Sequence, residues 1–449
     1  MENERFLATT ESVCPECLKV IPARKVSSYD QIYLVKECSD HGEFRTLIWD
    51  GEPDYRGWHR ERLPVKIENC VTQVEKGCPY DCGPCPEHRQ EPCCVLLEIT
   101  ENCNLNCPIC FASAGTAKSN NPSSIKIKDW YRWLLDHGGP YNVQLSGGEP
   151  TVRDDLPEII WMGKQLGFPY LQLNTNGLRL AQEPELANKL KEAGLDCVYL
   201  QFDGTRDEIY RKTRGRALLN EKMKAIEHCA RAGLGIALVP TLVPGINTDN
   251  IGAIIDFATS QMPHVRGVHF QPVSYFGRYP GAPPENRITI PRILREIEEQ
   301  TAGKIKKDNF GPVGAENPYC TFHGNFTLEP GGTLKPWRSV SCCPSPAEPV
   351  DPKVGVAKSR SFIARQWSAP EPAGKCCNQD PRVASLDEFL QRITTYTMSI
   401  SGMAFQDAWN LDLERLRDCK LYIFSPQGKL IPFCAYNLTA KNGQSIYRP

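Results

Sequence analysis

A chain of 449 residues with a formal net charge of −1 and a hydrophobic fraction of 41% has room for two or three domains and shows no electrostatic signature of a nucleic-acid partner. No apolar run reaches the length of a membrane span, and the opening MENERFLATTESVCPEC lacks the basic and apolar regions of a secretory leader. Cysteine is the outlier: 21 residues, an odd number, kept largely in close C-x2-C and C-x3-C sets that suit metals better than disulfides and predict the reducing cytoplasm of an anaerobe.

In chain order, the first predicted unit runs from about Thr10 to Leu47. Cys14 and Cys17 in CPEC, and Cys38 and His41 in CSDH, flank a β-prone stretch. Two short strands around these four donors would form a tetrahedral site for zinc or a single iron. With the linker GEPDYRGWHRERLP this unit fills residues 1–62. An auxiliary segment, 63–93, then carries Cys78, Cys82 and Cys85 in KGCPYDCGPCPEH, a C-x3-C-x2-C loop. A zinc knuckle is the alternative reading of that loop. Its fourth ligand is expected from Cys93 or Cys94, or from a later cysteine; neighbours on a strand face opposite ways, so one of the pair, here Cys94, is assigned.

Residues 94–275 alternate strands and helices. The strands are CVLLEIT, NVQLS, YLQLNTN, CVYLQFD, GIALVPTLV and GVHFQPV. Between them Ile127, Trp130 and Leu134 mark one helix face, Leu156, Ile159, Ile160 and Gly163 another, and Met223, Ile226 and Ala230 a third. Such βα repeats predict a parallel sheet, open or curled into a partial barrel, with ligands at the C-terminal strand ends. After the Pro/Gly-rich GRYPGAPPENR, residues 276–449 are irregular and again rich in cysteine. Cys320, Cys342, Cys343, Cys419 and Cys434 are candidates for a further cluster. Cys376 and Cys377 lie in a Pro/Gly-rich stretch. Cys197 and Cys229 read as core residues.

The C-x3-C-x2-C spacing recurs at Cys103, Cys107 and Cys110, and this copy has a different context. It follows a strand directly, and the next strand ends in LSGGEPT. Three thiolates on one loop can hold three irons of a [4Fe–4S] cube and leave the fourth open. Gly147 and Gly148 would let a ligand approach the backbone, and Glu149 would accept from an ammonium group. An amino acid chelating the open iron fits S-adenosylmethionine (SAM). A zinc site or an electron-transfer cluster is the alternative, which the GGEP segment disfavours.

These motifs resemble the radical SAM enzymes over about Val95 to Val273. The resemblance implies a partial (β/α)6 barrel and a reduced cluster that cleaves SAM to a radical able to take hydrogen from an unactivated carbon. It implies cluster ligands at Cys103, Cys107 and Cys110, amine binding at Gly147, Gly148 and Glu149, and further SAM contacts at Asn174, Asn176, Gln201 and Asp203. End to end, TESVCPECLKVIPARK, YLVKECSDHGEF, NPYCTFHG, MAFQDAWNLDLERLRDC and LIPFCAYNLT are similar to the archaeal tetraether lipid synthase group, also described as pterin methylases. That group implies two auxiliary [4Fe–4S] clusters, a rubredoxin-like mononuclear site and coupling of isoprenoid chains. No region suits a cobalamin domain. The expected function is therefore radical C–C coupling of lipid chains, with Trp337, Trp367, Phe405 and Trp409 as candidates to line an apolar tunnel. The alternatives are cobalamin-independent methylation of a pterin or other small molecule, and an iron–sulfur electron carrier. Expected partners are the lipid or small-molecule substrate and a ferredoxin- or flavodoxin-like donor. The expected location is cytoplasmic, with possible peripheral contact at the inner face of the membrane.

Overall fold

A computed structural model describes residues 4–59, 67, 70–115, 121–279, 287–313, 316–337, 360–361, 366–370, 392 and 394–448. The amino-terminal unit is a four-stranded antiparallel sheet in sequential order: β1 (Glu4–Val13), β2 (Val20–Ser28), β3 (Gln31–Cys38) and β4 (Gly42–Asp50). The spacing of the four donors predicts only two strands, and the other two complete the sheet around them. The β1–β2 and β3–β4 turns carry the two halves of the donor set, and the same register sends both turns to one end of the sheet.

The larger sheet takes the six strands expected from sequence: β5 (Cys94–Thr100), β6 (Asn142–Gly147), β7 (Leu171–Thr175), β8 (Cys197–Gln201), β9 (Gly235–Val239) with the short β10 (Thr241–Leu242), and β11 (Val265–Pro272). They pair in parallel in that order. Helices α1 (Ser124–Asp136), α2 (Leu156–Gln165), α3 (Leu178–Gln182), α4 (Pro184–Glu192), α5 (Asp207–Arg214), α6 (Leu219–Arg231), α7 (Ile251–Ser260) and α8 (Ile290–Gln300) accompany them. The parallel strands and their accompanying helices form the α/β sheet expected from the βα repeats.

The residues beyond the Pro/Gly-rich segment extend this same sheet at both edges. Past β11 comes β14 (Thr397–Met403), which runs parallel to β11, then the antiparallel β12 (Thr321–Leu328) and, at the edge, β13 (Leu334–Pro336). At the other edge β15 (Leu421–Phe424) runs parallel to β5 and carries the antiparallel β16 (Leu430–Pro432). These strands are short and separated from their partners by long stretches of chain, so no local pattern announces them.

The strand registers give the sheet two unlike faces. Val95, Leu97, Ile99, Val143, Leu145, Leu171, Leu173, Val198, Leu200, Ile236, Leu238, Val268, Phe270, Ile400 and Phe322 point toward the helices in one continuous apolar core. Burying each such side chain contributes roughly 1.5–3 kcal/mol. The opposite, inner face is polar: Gln144, Gln172, Asn174, Tyr199, Gln201, His269, Ser399, Ser401, His323 and Asn325 follow one another across the strands. Parallel strands in this class usually bury apolar residues on both faces. Trp367 closes the strand-start end of that face, packing on Tyr170, Cys197 and Ala237. A Cβ on Gly235 would stand 2.2 Å from its carbonyl oxygen.

One helix face differs from the periodicity. Met223 of α6 is 41% exposed, while Lys222 beside it is fully buried with Ala225, Ile226 and Cys229. The rotation is set by the ammonium, which donates to the Asn176 carbonyl at 2.5 Å and to Gln201 Oε1 at 2.8 Å. Among the described residues no helix is long and apolar enough to cross a membrane.

Burial lowers the Lys222 ammonium to about 7 from its ordinary 10.5. In that window the unfolded chain holds a proton that the folded chain has lost, so stability should rise with pH between about 7 and 10.5, by up to about 1.4 kcal/mol per pH unit. Lys222→Met should flatten that component, and urea denaturation of both proteins from about pH 7 to 9.5 reads it. Parallel profiles would refute the assignment.

Candidate active site and metal centres

At the end of the four-stranded sheet the ligand atoms of Cys14, Cys17, Cys38 and His41 all lie within 4.8 Å of one another. His41 Nδ1 is 3.6 Å from Cys14 Sγ and 3.5 Å from Cys38 Sγ. His41 draws the Cys38 thiol down to about 6, while burial pushes Cys14 up to about 11. Three soft thiols and an imidazole converging so closely fit one tetrahedral ion. Among the described residues this is the only such compact group.

The second cysteine loop leaves β5 at its C-terminal end. Three thiols on one loop, Cys103, Cys107 and Cys110, suit a polynuclear cluster, in which each iron takes one thiolate. Burial pushes Cys103 up to about 12 and raises Cys107 against the opposing pull of Arg214. Thiols this reluctant to ionise alone are deprotonated when a metal binds them. The loop is clamped from outside the motif. Arg278 donates from Nε to the Cys107 carbonyl at 2.7 Å and from Nη2 to the Ala114 carbonyl at 2.7 Å, and its backbone pairs with Cys110. It follows the last barrel strand, in a stretch read from sequence only as linker.

Gly147 and Gly148 serve this loop in a way the sequence reading did not foresee. A Cβ on Gly147 would meet the Thr100 carbonyl oxygen at 2.1 Å, and one on Gly148 the Asn102 oxygen at 2.3 Å. The close approach they permit is that of the chain entering the cysteine loop. Gly148 N–H donates to Thr100 and Glu149 N–H to Asn102, both at 2.8 Å.

Glu149 is 1% exposed. Its Oε1 accepts from Thr151 N–H at 3.1 Å, Thr151 Oγ1 at 2.6 Å and Thr175 Oγ1 at 2.6 Å; Oε2 accepts from Asn176 N–H at 2.7 Å. Oε1 is saturated, whereas Oε2 retains acceptor capacity for one further donor such as an amine. Asn176 Nδ2 donates to Asn104 Oδ1 at 2.7 Å, inside the cysteine loop. Glycines 147 and 148, Glu149 and Asn176 therefore share one network.

Gln201 and Asp203 belong to a second. Asp203 accepts Arg214 through both oxygens, at 2.5 and 2.8 Å, with Gln201 Nε2 at 2.5 Å, Thr213 Oγ1 at 2.9 Å and Thr241 N–H at 3.1 Å. Burial pushes its carboxyl up, but Arg214 and these donors overcome that and hold it below its ordinary range. Arg214 ends α5 where Gly215 enters the left-handed region (φ 84°), and its Nη1 donates to the Ile109 carbonyl at 3.3 Å. Lys222 joins the two networks through Asn176 and Gln201. Asn174 stands apart, on the inner face, between Gln144 and Gln172 at 3.1 and 2.9 Å. Lys222, Arg214 and Arg278 were missed from sequence because isolated basic residues carry no local signal of burial.

The first cysteine loop brings Cys78 and Cys82 Sγ to 3.8 Å. The cysteine outside the loop whose charge acts on Cys82 is Cys419. Cys94 lies elsewhere, hydrogen-bonded to Gln144 on the inner face. His88, just past the loop, has Nε2 2.8 Å from the Cys419 carbonyl and 2.6 Å from the Tyr422 hydroxyl. Cys320, Cys419 and Cys434 line one cavity with Met403, Phe405 and Arg415, whose Nη2 lies 3.2 Å from Cys320 Sγ. Cys342, Cys343, Cys376 and Cys377 lie outside the described residues.

Residues 97–258 match the family model described as the radical SAM superfamily, and residues 6–50 match the HMPTM N-terminal zinc ribbon domain. The 7,8-dihydro-6-hydroxymethylpterin dimethyltransferase of Methanocaldococcus jannaschii is 36% identical over 95% of this chain and 93% of its own. A probable GTP 3′,8-cyclase of Sulfolobus acidocaldarius is 32% identical over 37% of this chain and 52% of its own. Among solved structures, Streptococcus suis SuiB bound to S-adenosylmethionine aligns with a TM-score of 0.41 at 16% identity, over 47% of each chain.

Glu149→Gln replaces one acceptor oxygen with a donor and leaves at least one buried donor unmatched. It should lower stability by about 2 kcal/mol and weaken SAM binding at least about tenfold, while the amino-terminal site keeps its metal. Denaturation, SAM titration and metal analysis test this. Unchanged SAM affinity would remove Glu149 from the SAM site.

Proposed function

On the premise that this chain is a radical SAM enzyme belonging to the family of the 7,8-dihydro-6-hydroxymethylpterin dimethyltransferase, we propose that it methylates a pterin carbon. The observation that carries the substrate class is the inner face of the sheet. Gln144, Gln172 and Asn174 form a ladder of amides, Ser401 Oγ lies 2.9 Å from His269 Nδ1, and burial lowers His269 to about 4, leaving a neutral imidazole. Thr321 Oγ1 and Thr327 Oγ1 are buried there without a hydrogen-bond partner among the described residues. Such a surface favours a small heterocycle that offers donors and acceptors. It would strand its own polar groups against a saturated chain.

The lipid-coupling expectation is not carried forward. The four aromatics suggested for a tunnel do not share a wall. Trp337 is 55% exposed, Trp367 stacks near Tyr199 and His269, Phe405 pairs with Phe433, and Trp409 sits against Tyr275 and Tyr279.

In this reading Cys103, Cys107 and Cys110 would hold the cluster, and Gly147, Gly148, Glu149, Asn176, Gln201 and Asp203 would border SAM. Once bound, the pair supplies the one-electron chemistry that activates a carbon–hydrogen bond. The chain itself positions the acceptor: the amide ladder orients the ring, and Trp367 walls the strand-start end against water. Cys78, Cys82 and Cys85, and separately Cys320, Cys419 and Cys434, would hold auxiliary iron–sulfur clusters. Electrons would come from a low-potential carrier of the ferredoxin or flavodoxin class.

Anaerobically reconstituted protein given SAM, a strong reductant and 6-hydroxymethyl-7,8-dihydropterin should release 5′-deoxyadenosine and yield mono- and dimethylated pterin by mass spectrometry. Cys103→Ala should abolish both. A product from diether lipids that has lost two hydrogens per new chain junction, with the pterin unchanged, would overturn the proposal.

A further inference from the structure

Glu98 lies on the inner face of β5, in register with Ser146 of β6. Among the described strand residues of that face it is the only acid. Its carboxylate is gripped by a guanidinium from far along the chain. Arg448 Nη2 lies 2.5 Å from Oε1 and Nη1 3.2 Å from Oε2, with the side chains 12% and 13% exposed. The guanidinium sits 4.9 Å from the Tyr436 ring centre and 5.8 Å from that of Phe111, which follows Cys110. Beside the cysteine loop, then, a carboxylate holds a planar N–H fork against aromatic rings.

The pyrimidine edge of a pterin has the same shape. Its ring N–H and exocyclic amino group are coplanar, point the same way and belong to a flat ring, as the two terminal nitrogens of a guanidinium do. A carboxylate that accepts one fork accepts the other, and rings that stack on one stack on the other. We infer that Glu98 reads the N–H/amino edge of the pterin and that Arg448 is an internal stand-in which occupies that edge's place until the substrate displaces it. The inference rests on the pterin reading above and adds to it the residue that selects the ring. The stand-in also has a physical reason. A carboxylate whose side chain is only 13% exposed is destabilised unless paired, and Arg448 supplies the pair in the absence of substrate.

The test uses full-length, anaerobically purified protein and two probes titrated by fluorescence: 6-hydroxymethylpterin, and the corresponding lumazine, in which an oxygen replaces the amino group. Wild type should prefer the pterin by at least about tenfold, because the lumazine sets an acceptor against the carboxylate. Glu98→Gln, whose amide can donate to that oxygen, should lose or reverse the preference while SAM still binds. Arg448→Ala leaves Glu98 in place and should tighten pterin binding. Retention of the pterin preference in Glu98→Gln, or weaker pterin binding in Arg448→Ala, overturns the inference and leaves the pterin reading standing. Wild type that binds neither probe removes both.

Discussion

The structure around the candidate radical site depends on the Glu149 carboxylate. Four donors from three places in the chain close on it: Thr151 just beyond, Thr175 at the end of β7, and the Asn176 amide. The backbone on its other side is stitched to Thr100 and Asn102, the entry to the cysteine loop. Three adjacent strands are thus tied at their C-terminal ends by one residue, β7 through its buried charge and β5 through the adjoining backbone amides. Neutralising or moving that charge would leave several donors unmatched at once, which is why so short a segment, Gly147–Gly148–Glu149, can set the position of the loop. The glycines act on the other side, since any Cβ there would push away Thr100 and Asn102 at the entry to the cysteine loop.

The second constraint is the difference between the two sheet faces. An apolar outer face is enough to hold helices against strands, and nothing in that packing requires a polar inner face. Buried amides and hydroxyls are costly unless paired, and on this face they pair chiefly with one another: Gln172 with Asn174, Asn174 with Gln144, and His269 with Ser401. Such a face suits the hydrogen-bonding ring of the proposed function better than an aliphatic chain, which would leave those polar groups without partners.

What could be read from the sequence was what is local. The six central strands, their order and the placing of Cys103 and Gly147–Glu149 at strand ends follow from short apolar runs and turn residues. So does the convergence of Cys14, Cys17, Cys38 and His41, because each half of the set is a tight turn. Features that depend on chain returning from far away could not be read. Periodicity puts Met223 on the buried face with Ile226 and Ala230, and only the Asn176 carbonyl and Gln201, brought close by the fold, bury Lys222 in its place. Arg278 looked like linker. Cys94 looked available to the first cysteine loop, yet the alternation of β5 turns it onto the inner face with Gln144. β14 and β15 were invisible because their partners, not their own composition, make them strands.

Those two strands also explain how cysteines far apart in sequence come together. Because the later part of the chain supplies β14 to one edge and β15 to the other, it has to cross the open side of the sheet between them. Cys320 directly precedes β12, which pairs with β14; Cys419 lies two residues before β15; and Cys434 lies two residues after β16. The cavity they line borders Met403 at the end of β14 and Leu421 at the start of β15. A cluster bound by those thiols would join the two edges that hydrogen bonds leave apart. Metal binding and closure of the barrel would then be one event, because ligands drawn from both edges converge only when the sheet has curled. His88 extends the coupling to the first cysteine loop, since it touches the Cys419 carbonyl and the Tyr422 hydroxyl together. In the proposed arrangement the auxiliary cysteines would act on the architecture of the sheet as well as on any electrons that pass through it.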